Sequence, residues 1–292
     1  MKPKEILLSD YTAPEYTITH VELSFKLDPR ATLVKSSLTI KLNTTSSPNP
    51  PLILHGEDLK LLSVTVDGTF LNKTQFKESS GKLEIPYETI RKNNFNLECH
   101  TEINPEKNTS LEGLYLSNGV YCTQCEPEGF RKITYYLDRP DVLAKFRVRI
   151  EGDKKYLLSN GNLKKTGTGW AEWEDPWPKP SYLFALVGGN LTVVEDMFKT
   201  MSGKEVLLQI YVEPGDENKC AHAMNSLKHS MSWDEQEYGR EYDLDRFMIV
   251  AISDFNMGAM ENKGLNIFNS KYVLADEETA TDSDFEMIER II

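Results

Sequence analysis

Short runs of alternating apolar and polar residues, each closed by a turn, fill the greater part of the chain between Tyr16 and about Val187. In Val21-Glu-Leu-Ser-Phe25, for example, the period of two residues places the apolar side chains on one face of a β-strand. Turn sequences separate the runs: Asp67-Gly68, Ser80-Gly81, Asn118-Gly119, Asn160-Gly161 and Gly167-Thr-Gly169. This pattern predicts an all-β sandwich or saddle.

The pattern changes in the last third of the chain. Val206 to Val212 alternates like a strand, and Lys219 to Tyr238 repeats apolar residues at helical spacing. Phe247 to Ile252 is a continuous apolar run typical of a buried strand, and Gly258 to Phe268 is expected to form one more strand. Strands mixed with helices predict an α+β arrangement here.

A proline-rich segment, Asp175-Pro-Trp-Pro-Lys-Pro180, lies just before this change. Its prolines are expected to exclude it from a central strand, so it should form a rigid approach to a last strand at Tyr182 to Val187. Gly188-Gly189 should end that strand. We therefore predict a β domain over residues 1–189 and an α+β domain over residues 190–292.

An acidic segment from Ala275 to Glu289 carries seven carboxylates and no Lys or Arg. A solvated acidic surface is favoured over a metal site. Ser283 and Glu286 are expected to form a capping box, which predicts a helix starting here. One face of that helix would carry Phe285, Ile288 and Ile292. Because no helix-stop residue precedes Ile292, the chain is expected to be cut within this helix.

The net charge of −12 and the pI of about 5.0 argue against a nucleic-acid partner and favour a monomer. The N-terminus has an apolar run of only three residues, which is too short for a signal peptide. The longest apolar stretches fall well short of the roughly 20 residues of a membrane helix. We expect a cytoplasmic protein without a membrane partner.

Four cysteines include one Cys-x-x-Cys pair, Cys122 and Cys125. Such a pair could be a redox pair or half of a zinc site. Cys99 and Cys220 do not supply a second pair with matching spacing. Reduced thiols are therefore favoured.

A carboxylate, Glu261, lies between two glycines, Gly258 and Gly264. Glycine within a strand often marks the close approach of another backbone or a ligand. The neighbours Met260 and Asn262 are expected to desolvate Glu261 partly, so that it needs a cation or hydrogen-bond donors to stay charged. On local chemistry alone, a substrate ammonium and a neighbouring Lys or Arg are equally suitable partners.

Gly258-Ala-Met-Glu-Asn262, followed by Lys-Gly-Leu-Asn266, resembles the exopeptidase motif of the zinc-dependent aminopeptidases of the gluzincin class, in the bacterial aminopeptidase N branch. Cys122-Thr-Gln-Cys-Glu-Pro-Glu-Gly-Phe-Arg131 resembles the segment with which the β domain of that branch reaches the active site. The resemblance runs from end to end and includes Leu111-Glu-Gly-Leu-Tyr115, Leu158-Ser-Asn-Gly-Asn162 and Phe268 to Ala275. It implies a mainly β N-terminal saddle domain followed by the truncated start of a thermolysin-like α+β catalytic domain.

The resemblance also implies an activity: removal of the N-terminal residue, with an Ala-like preference, from peptides with a free N-terminus. The α-amino group of such a peptide has a pKa near 8 and is largely cationic at neutral pH. Glu261 and Glu126 would bind it, Gln124 would contact the first residue, and the backbone of Gly258 and Ala259 would pair with the substrate. The full set of implied substrate-binding residues is Gln124, Glu126, Met257, Gly258, Ala259, Met260, Glu261 and Asn262, in which Met257 and Met260 would line a tolerant first pocket.

In the family that the chain resembles, zinc is held by His-Glu-x-x-His, which would lie beyond Ile292. None of the five histidines of this chain forms that motif: His20, His55, His100, His222 and His229. The chain by itself is therefore expected to contain no metal ligand, no catalytic residue and no peptidase activity. Two other interpretations remain open: a non-catalytic protein that binds peptide termini or acts as a scaffold, and a β-sandwich module for sugar or protein partners.

Overall fold

The computed structural model describes residues 7–43 and 47–292. The signal-peptide argument concerns a segment whose residues 1–6 lie outside this description. The strands are β1 Tyr16–Lys26, β2 Thr32–Leu42, β3 Leu52–His55, β4 Lys60–Val66, β5 Thr69–Phe70, β6 Lys77–Ser79, β7 Lys82–Ile85, β8 Asn94–Ile103, β9 Gly113–Ser117, β10 Val120–Gln124, β11 Ala144–Glu151, β12 Tyr156–Ser159, β13 Asn162–Gly167, β14 Trp170–Lys179, β15 Leu186–Gly189, β16 Thr192–Lys199, β17 Glu205–Val212, β18 Arg246–Ile252, β19 Ala259–Met260 and β20 Leu265–Asn269. The α-helices are α1 Tyr87–Ile90, α2 Ala221–Tyr238 and α3 Asp282–Ile291.

The regular secondary structure of the described chain up to residue 189 is almost entirely strand, as predicted. The largest sheet has the order β13-β14-β11-β1-β2-β8-β4-β5, and smaller sheets have the orders β12-β15-β10-β9 and β3-β7-β6. Pairing in the largest sheet is antiparallel except between β1 and β11. Burial along β1 and β2 largely alternates from one residue to the next, which confirms the period of two residues in the sequence.

The predicted turn at Asp67-Gly68 joins β4 to β5. Both residues have positive φ, 48° and 77°, which is the geometry of a type I′ hairpin turn. Asn118-Gly119 joins β9 to β10 with the same signs of φ, 46° and 78°. These turns confirm the local sequence signals.

The prediction for the proline-rich segment was wrong, because Asp175 to Lys179 continues β14. The reason lies in the pairing of that strand: β13 pairs with β14 only as far as Glu174. Beyond that point β14 pairs only with β11, and the register shifts between Ala144 and Phe146. Prolines are tolerated at such an edge with an irregularity, because few ladder hydrogen bonds are demanded there.

The last strand of this region was also misplaced. Residues 181–183 form a 3₁₀ turn, and β15 begins at Leu186 and contains both Gly188 and Gly189. A Cβ atom on Gly188 would lie 3.0 Å from Cδ1 of Leu27, so the backbone approaches its neighbour closely. Gly188 therefore serves packing inside the strand, and the strand ends with Gly189.

A five-stranded sheet with the order β16-β17-β18-β20-β19 follows. β17, β18 and β20 are parallel, and the two edge strands are antiparallel to their neighbours. Thr192 is the first residue of this sheet, and the domain boundary placed after residue 189 stays a prediction.

Both faces of the five-stranded sheet are covered. One face continues the core of the β region through Tyr211, Met248, Val250, Ile252, Met260, Leu265 and Ile267. The other packs against α2 and α3 through Leu208, Ile210, Ile249, Ala251, Phe268, Ala223, Leu227, Met231 and Ile288. Burial of each such aliphatic side chain stabilises the fold by about 1.5 to 3 kcal/mol. The β region and the sheet therefore share one apolar interface.

The helix predicted from Lys219 is α2, which starts two residues later at Ala221. It ends where Gly239 adopts a left-handed φ of 61° and donates its backbone N–H to the carbonyl of Glu235. The helices of the described residues offer no apolar segment long enough to traverse a bilayer.

The helix predicted in the acidic segment is α3, but its capping box was misplaced. Thr281 is the N-cap and Asp284 completes the reciprocal pair, with Thr281 Oγ1 accepting from the Asp284 backbone N–H. Ser283 lies inside the first turn, so its hydroxyl is past the position that caps the helix. Ile288 is buried as expected, with Phe285 and Ile292 packed beside it.

Candidate substrate-amine site

The stretch Gly258 to Phe268 is a hairpin, and the prediction of one strand was wrong. β19 and β20 pair antiparallel with Ala259 opposite Phe268 and Met260 opposite Ile267. Gly264 has a φ of +87°, a conformation that ends a regular strand. The turn is closed by the backbone N–H of Leu265, which donates to the carbonyl of Asn262 at 3.0 Å.

β19 is an edge strand, because the five-stranded sheet ends there. The Gly258 carbonyl accepts from the Asn269 N–H at 3.0 Å and so faces β20. Since backbone groups of successive residues point to opposite sides of a strand, the N–H and C=O of Ala259 face the open edge. Of the two backbones predicted to pair with a substrate, only that of Ala259 is directed outward.

The side chains of this strand alternate between core and surface. Met260 is fully buried between the sheet and the β region, and Asn262 is only 1% exposed. Met260 therefore packs in the core here and does not line an open pocket. Met257, in the loop before β19, is 42% exposed and remains available to a ligand.

Glu261 points outward, so the expectation of partial desolvation was wrong. The period of two residues that buries Met260 and Asn262 turns the side chain between them to solvent. Its carboxylate forms no ion pair or hydrogen bond with any residue that the structure describes. The alternative partner, a neighbouring Lys or Arg, is therefore not found among those residues.

The second predicted segment meets the first through Gln124, the last residue of β10. Its Nε2 donates to the Glu126 carbonyl at 3.1 Å and to Sδ of Met257 at 3.4 Å. Gln124 is 5% exposed, and its buried Oε1 accepts no hydrogen bond from the described part of the chain. The half-buried carboxylate of Glu126 is likewise unpaired there.

Sequence reasoning missed two residues of β9 that hold the loop before β19. Tyr115 Oη donates to the carbonyl of Asp254 at 3.1 Å, and Ser117 Oγ donates to its carboxylate at 2.9 Å. Burial raises the pKa of Tyr115 far above its ordinary value, so its hydroxyl stays a neutral donor. Leu111-Glu-Gly-Leu-Tyr115 was noted only as a resemblance, and the sequence contains no local sign of its distant partner.

The arrangement is rich in acceptors. Glu126 and Glu261 are carboxylates without a cation among the described residues, and Gln124 has an unfilled carbonyl oxygen. Acceptors alone suit a ligand group that only donates, such as an ammonium.

The cysteines are not part of this chemistry. All four are free and buried. Burial raises the pKa of Cys122 to about 12 and that of Cys125 well above its ordinary value. A buried thiol with a raised pKa is a poor nucleophile and a poor metal ligand.

The residues described here do not form a zinc site. No group of three or more His, Cys, Asp or Glu side chains within residues 7–43 and 47–292 is placed to hold a metal ion. His222, on α2, is engaged otherwise: its Nε2 is 3.0 Å from the carbonyl oxygen of Phe285 and its ring packs edge-on against that side chain.

Comparison with known proteins gives two family matches and a set of relatives. The Peptidase M1 N-terminal domain matches residues 15–183, and the Peptidase family M1 domain matches residues 222–292. The chain is 51% identical over 300 residues to aminopeptidase N of Escherichia coli strain K12, an alignment that includes 100% of this chain and 34% of that protein. It is 50% identical over 297 residues to aminopeptidase N of Caulobacter vibrioides, with 99% of this chain and 34% of that protein aligned.

A solved structure extends the comparison to three dimensions. Legionella pneumophila aminopeptidase A, in complex with aspartic acid, matches with a TM-score of 0.91 and 35% identity over 97% of this chain and 34% of that one. The match confirms the predicted fold class, a β domain followed by the start of a thermolysin-like fold. The chain spans about a third of the length of the curated relatives it matches.

Proposed function

Because this chain belongs to peptidase family M1, we propose that it forms the amine-recognition part of an aminopeptidase that removes the N-terminal residue from peptides. The family membership bears out the resemblance seen in the sequence. The observation that carries the proposal is the meeting of the two predicted segments, in which Gln124 contacts Met257. Each segment also carries a carboxylate, Glu126 in one and Glu261 in the other, that has no hydrogen bond or ion pair with a described residue.

The proposed recognition uses charge and strand addition together. A peptide lying along the open edge of β19 would exchange hydrogen bonds with the backbone of Ala259. Its α-ammonium would donate to the carboxylates of Glu261 and Glu126, and an internal peptide bond has no such cation to offer. A hydrogen bond to a charged group contributes about 1.5 to 3 kcal/mol, so a free N-terminus would be strongly selected.

The metal and the remaining chemistry are proposed to lie outside this chain. We propose that zinc is held by residues that follow Ile292, since the described residues do not fit a metal ion, and that residues 1–292 alone do not turn over peptides. An Ala-like first residue is the proposed preference. Four free thiols suit a reducing compartment and support the proposal of a cytoplasmic location. The net charge of −12 is the basis for the proposal of a monomer.

The test uses the full-length protein from the source gene and alanine p-nitroanilide as substrate. Replacing Glu261 by Ala is expected to lower kcat/KM by about 10- to 150-fold, which corresponds to about 1.5 to 3 kcal/mol. This loss of transition-state stabilisation is smaller than the loss expected for a buried charge pair, because Glu261 is exposed. Glu286→Ala is the control, since Glu286 is an exposed carboxylate on α3 and its one ion pair with a described residue is to Arg290.

Unchanged turnover in the Glu261→Ala variant would refute the role of Glu261. Binding of free-amine peptides by the full-length protein without any turnover would instead favour the non-catalytic peptide-terminus-binding protein.

A further inference from the structure

Leu158-Ser-Asn-Gly-Asn162, one of the stretches that carried the family resemblance, contains none of the residues proposed above to bind the amine. It joins β12 to β13. Asn160 at its centre is 2% exposed, and a buried side-chain amide is retained only where its polar atoms find partners. Its partners connect this turn to the exopeptidase hairpin.

The amide of Asn160 is engaged on both sides. Its Oδ1 accepts the backbone N–H of Ala185 at 2.7 Å, and its Nδ2 donates to the Leu183 carbonyl at 3.0 Å. The same Nδ2 lies 3.2 Å from the carbonyl oxygens of both Asn262 and Lys263. Because oxygen meets a donor and nitrogen meets only carbonyls, the orientation of the amide is defined by its surroundings.

The backbones of the two turns also touch. A Cβ atom added to Gly264 would lie 3.2 Å from the backbone nitrogen of Gly161. Gly161 itself has a φ of +86°, and a Cβ atom there would be 2.3 Å from the carbonyl oxygen of Glu174. Both positions thus require glycine, and the two turns fit together without space for a side chain.

A second contact from the same turn reaches the neighbouring strand. Asn162 Oδ1 accepts the backbone N–H of Asp245 at 2.9 Å, and Asp245 immediately precedes β18. β18 in turn pairs with β20. The turn therefore holds the hairpin directly through Asn160 and the adjacent strand through Asn162.

From this geometry we infer that Asn160 is a positioning residue for amine recognition: it holds the Asn262 and Lys263 carbonyls and so orients the carboxylate of Glu261. This inference rests on the proposed function. Glu261 is exposed and its carboxylate forms no hydrogen bond or ion pair with a described residue, so its direction is set by the backbone on either side of it. On one side Met260 is held by the core, and on the other the carbonyl of Asn262 is held by Asn160. The β region thereby acts on the site through a residue that does not contact the substrate.

The experiment is a double-mutant cycle in the full-length protein with alanine p-nitroanilide. Asn160→Ala is expected to lower kcat/KM by about 10- to 100-fold, because a displacement of about 1 Å at a reacting group can lower the rate by about 100-fold. In a Glu261→Ala background the same substitution is expected to lower kcat/KM by less than about threefold, since residues acting through one another are non-additive.

Two further variants separate positioning from general stability. Ser159→Ala removes an adjacent buried hydrogen bond, Ser159 Oγ to the Ala185 carbonyl at 2.7 Å, that touches neither Asn262 nor Lys263. It is expected to lower the Tm while kcat/KM per folded molecule stays within about threefold of the parent value. Asn160→Asp keeps the shape and the acceptor for Ala185 but lacks the donor, so it should lose as much activity as Asn160→Ala.

Two results would overturn the inference. One is a parental kcat/KM in the Asn160→Asp variant, and the other is an equal loss of kcat/KM from Asn160→Ala in the parent and in the Glu261→Ala background. Hydrogen exchange of the peptide covering residues 259–269 provides a readout that does not need activity. Asn160→Asp should accelerate exchange there at least about tenfold more than Ser159→Ala does, because the hairpin turn loses its anchor. If the full-length protein is inactive but this difference in exchange is seen, the proposed function is refuted and the anchoring of the hairpin by Asn160 is supported. Equal exchange in both variants would refute the anchoring as well.

Discussion

Among the described residues, Arg131 has one buried and two exposed carboxylate partners. Comparing these partners tests directly how burial sets the strength of an ion pair. The side chain of Asp138 is 1% exposed and accepts from Arg131 Nε at 3.0 Å, from the Arg131 backbone N–H at 3.2 Å and from Ser181 Oγ at 2.5 Å. Glu128, 65% exposed, lies 3.1 Å from Nη1 of the same guanidinium. Glu57 is 3.7 Å away and also exposed to solvent.

Asp138→Ala should destabilise the protein by about 3 kcal/mol. Removing one member of a buried pair typically costs about 3 to 5 kcal/mol, because the remaining charge stays buried without compensation. The lower end applies here, since Glu128 and Glu57 still neutralise part of the Arg131 charge. Asp138→Asn keeps one acceptor oxygen and is expected to cost about 2 kcal/mol.

The assay is urea unfolding, with the free energy extrapolated at constant m. Glu128→Ala is the matched control, because it removes an exposed carboxylate from the same guanidinium and should change the stability by no more than about 1 kcal/mol. Equal losses in Asp138→Ala and Glu128→Ala, or a loss below about 1.5 kcal/mol in Asp138→Ala, would refute the reasoning that burial decides the strength of the pair.

Three further predictions concern packing, titration and reactivity. Gly264→Ala should destabilise the protein by about 1 to 3 kcal/mol in urea unfolding, because it combines a positive φ with a Cβ atom 2.8 Å from Cδ1 of Leu244, and an unchanged midpoint would contradict this. Burial lowers the pKa of Lys179, paired with Asp175 at 3.0 Å, from 10.5 to about 8. The unfolded chain then binds more protons than the folded one between these values, so stability should rise from about pH 8 to about pH 10, with a slope absent in Lys179→Met. The four buried thiols should react with a disulfide reagent at pH 8 only as the protein unfolds, and rapid labelling of the native protein would disprove their burial.

The exopeptidase motif shows what a sequence motif can and cannot specify. Gly258-Ala-Met-Glu-Asn262 was enough to indicate the family, which the matches over residues 15–183 and 222–292 bear out. The motif did not specify that its strand would stop after Met260, or that Glu261 would be exposed. Both depend on which residues the sheet and the β region cover, and such contacts join residues far apart in the chain.

The predicted capping box of α3 and the prediction for the prolines of β14 were wrong for a related reason. Several residues in the acidic segment satisfy the capping pattern, and packing of Ile288 against the sheet selects the frame in which Thr281 is the cap. A proline is excluded from a strand only where a neighbouring strand needs its backbone N–H. β13 does not extend beside Asp175 to Lys179, and the sequence of that segment does not show where the neighbouring strand ends.

The sequence alone determined the elements whose causes are local. The strands with a period of two residues, the hairpin at Asp67-Gly68 and the helix that ends at Gly239 follow from side-chain spacing and backbone preference within a few residues. Only the tertiary structure decided which backbones are open, which carboxylates are unpaired and that Asn160 holds the carbonyl of Asn262 across 102 positions of the chain. These features arise from long-range packing, in which the partner of a residue is set by the fold and leaves no mark on its neighbours in sequence.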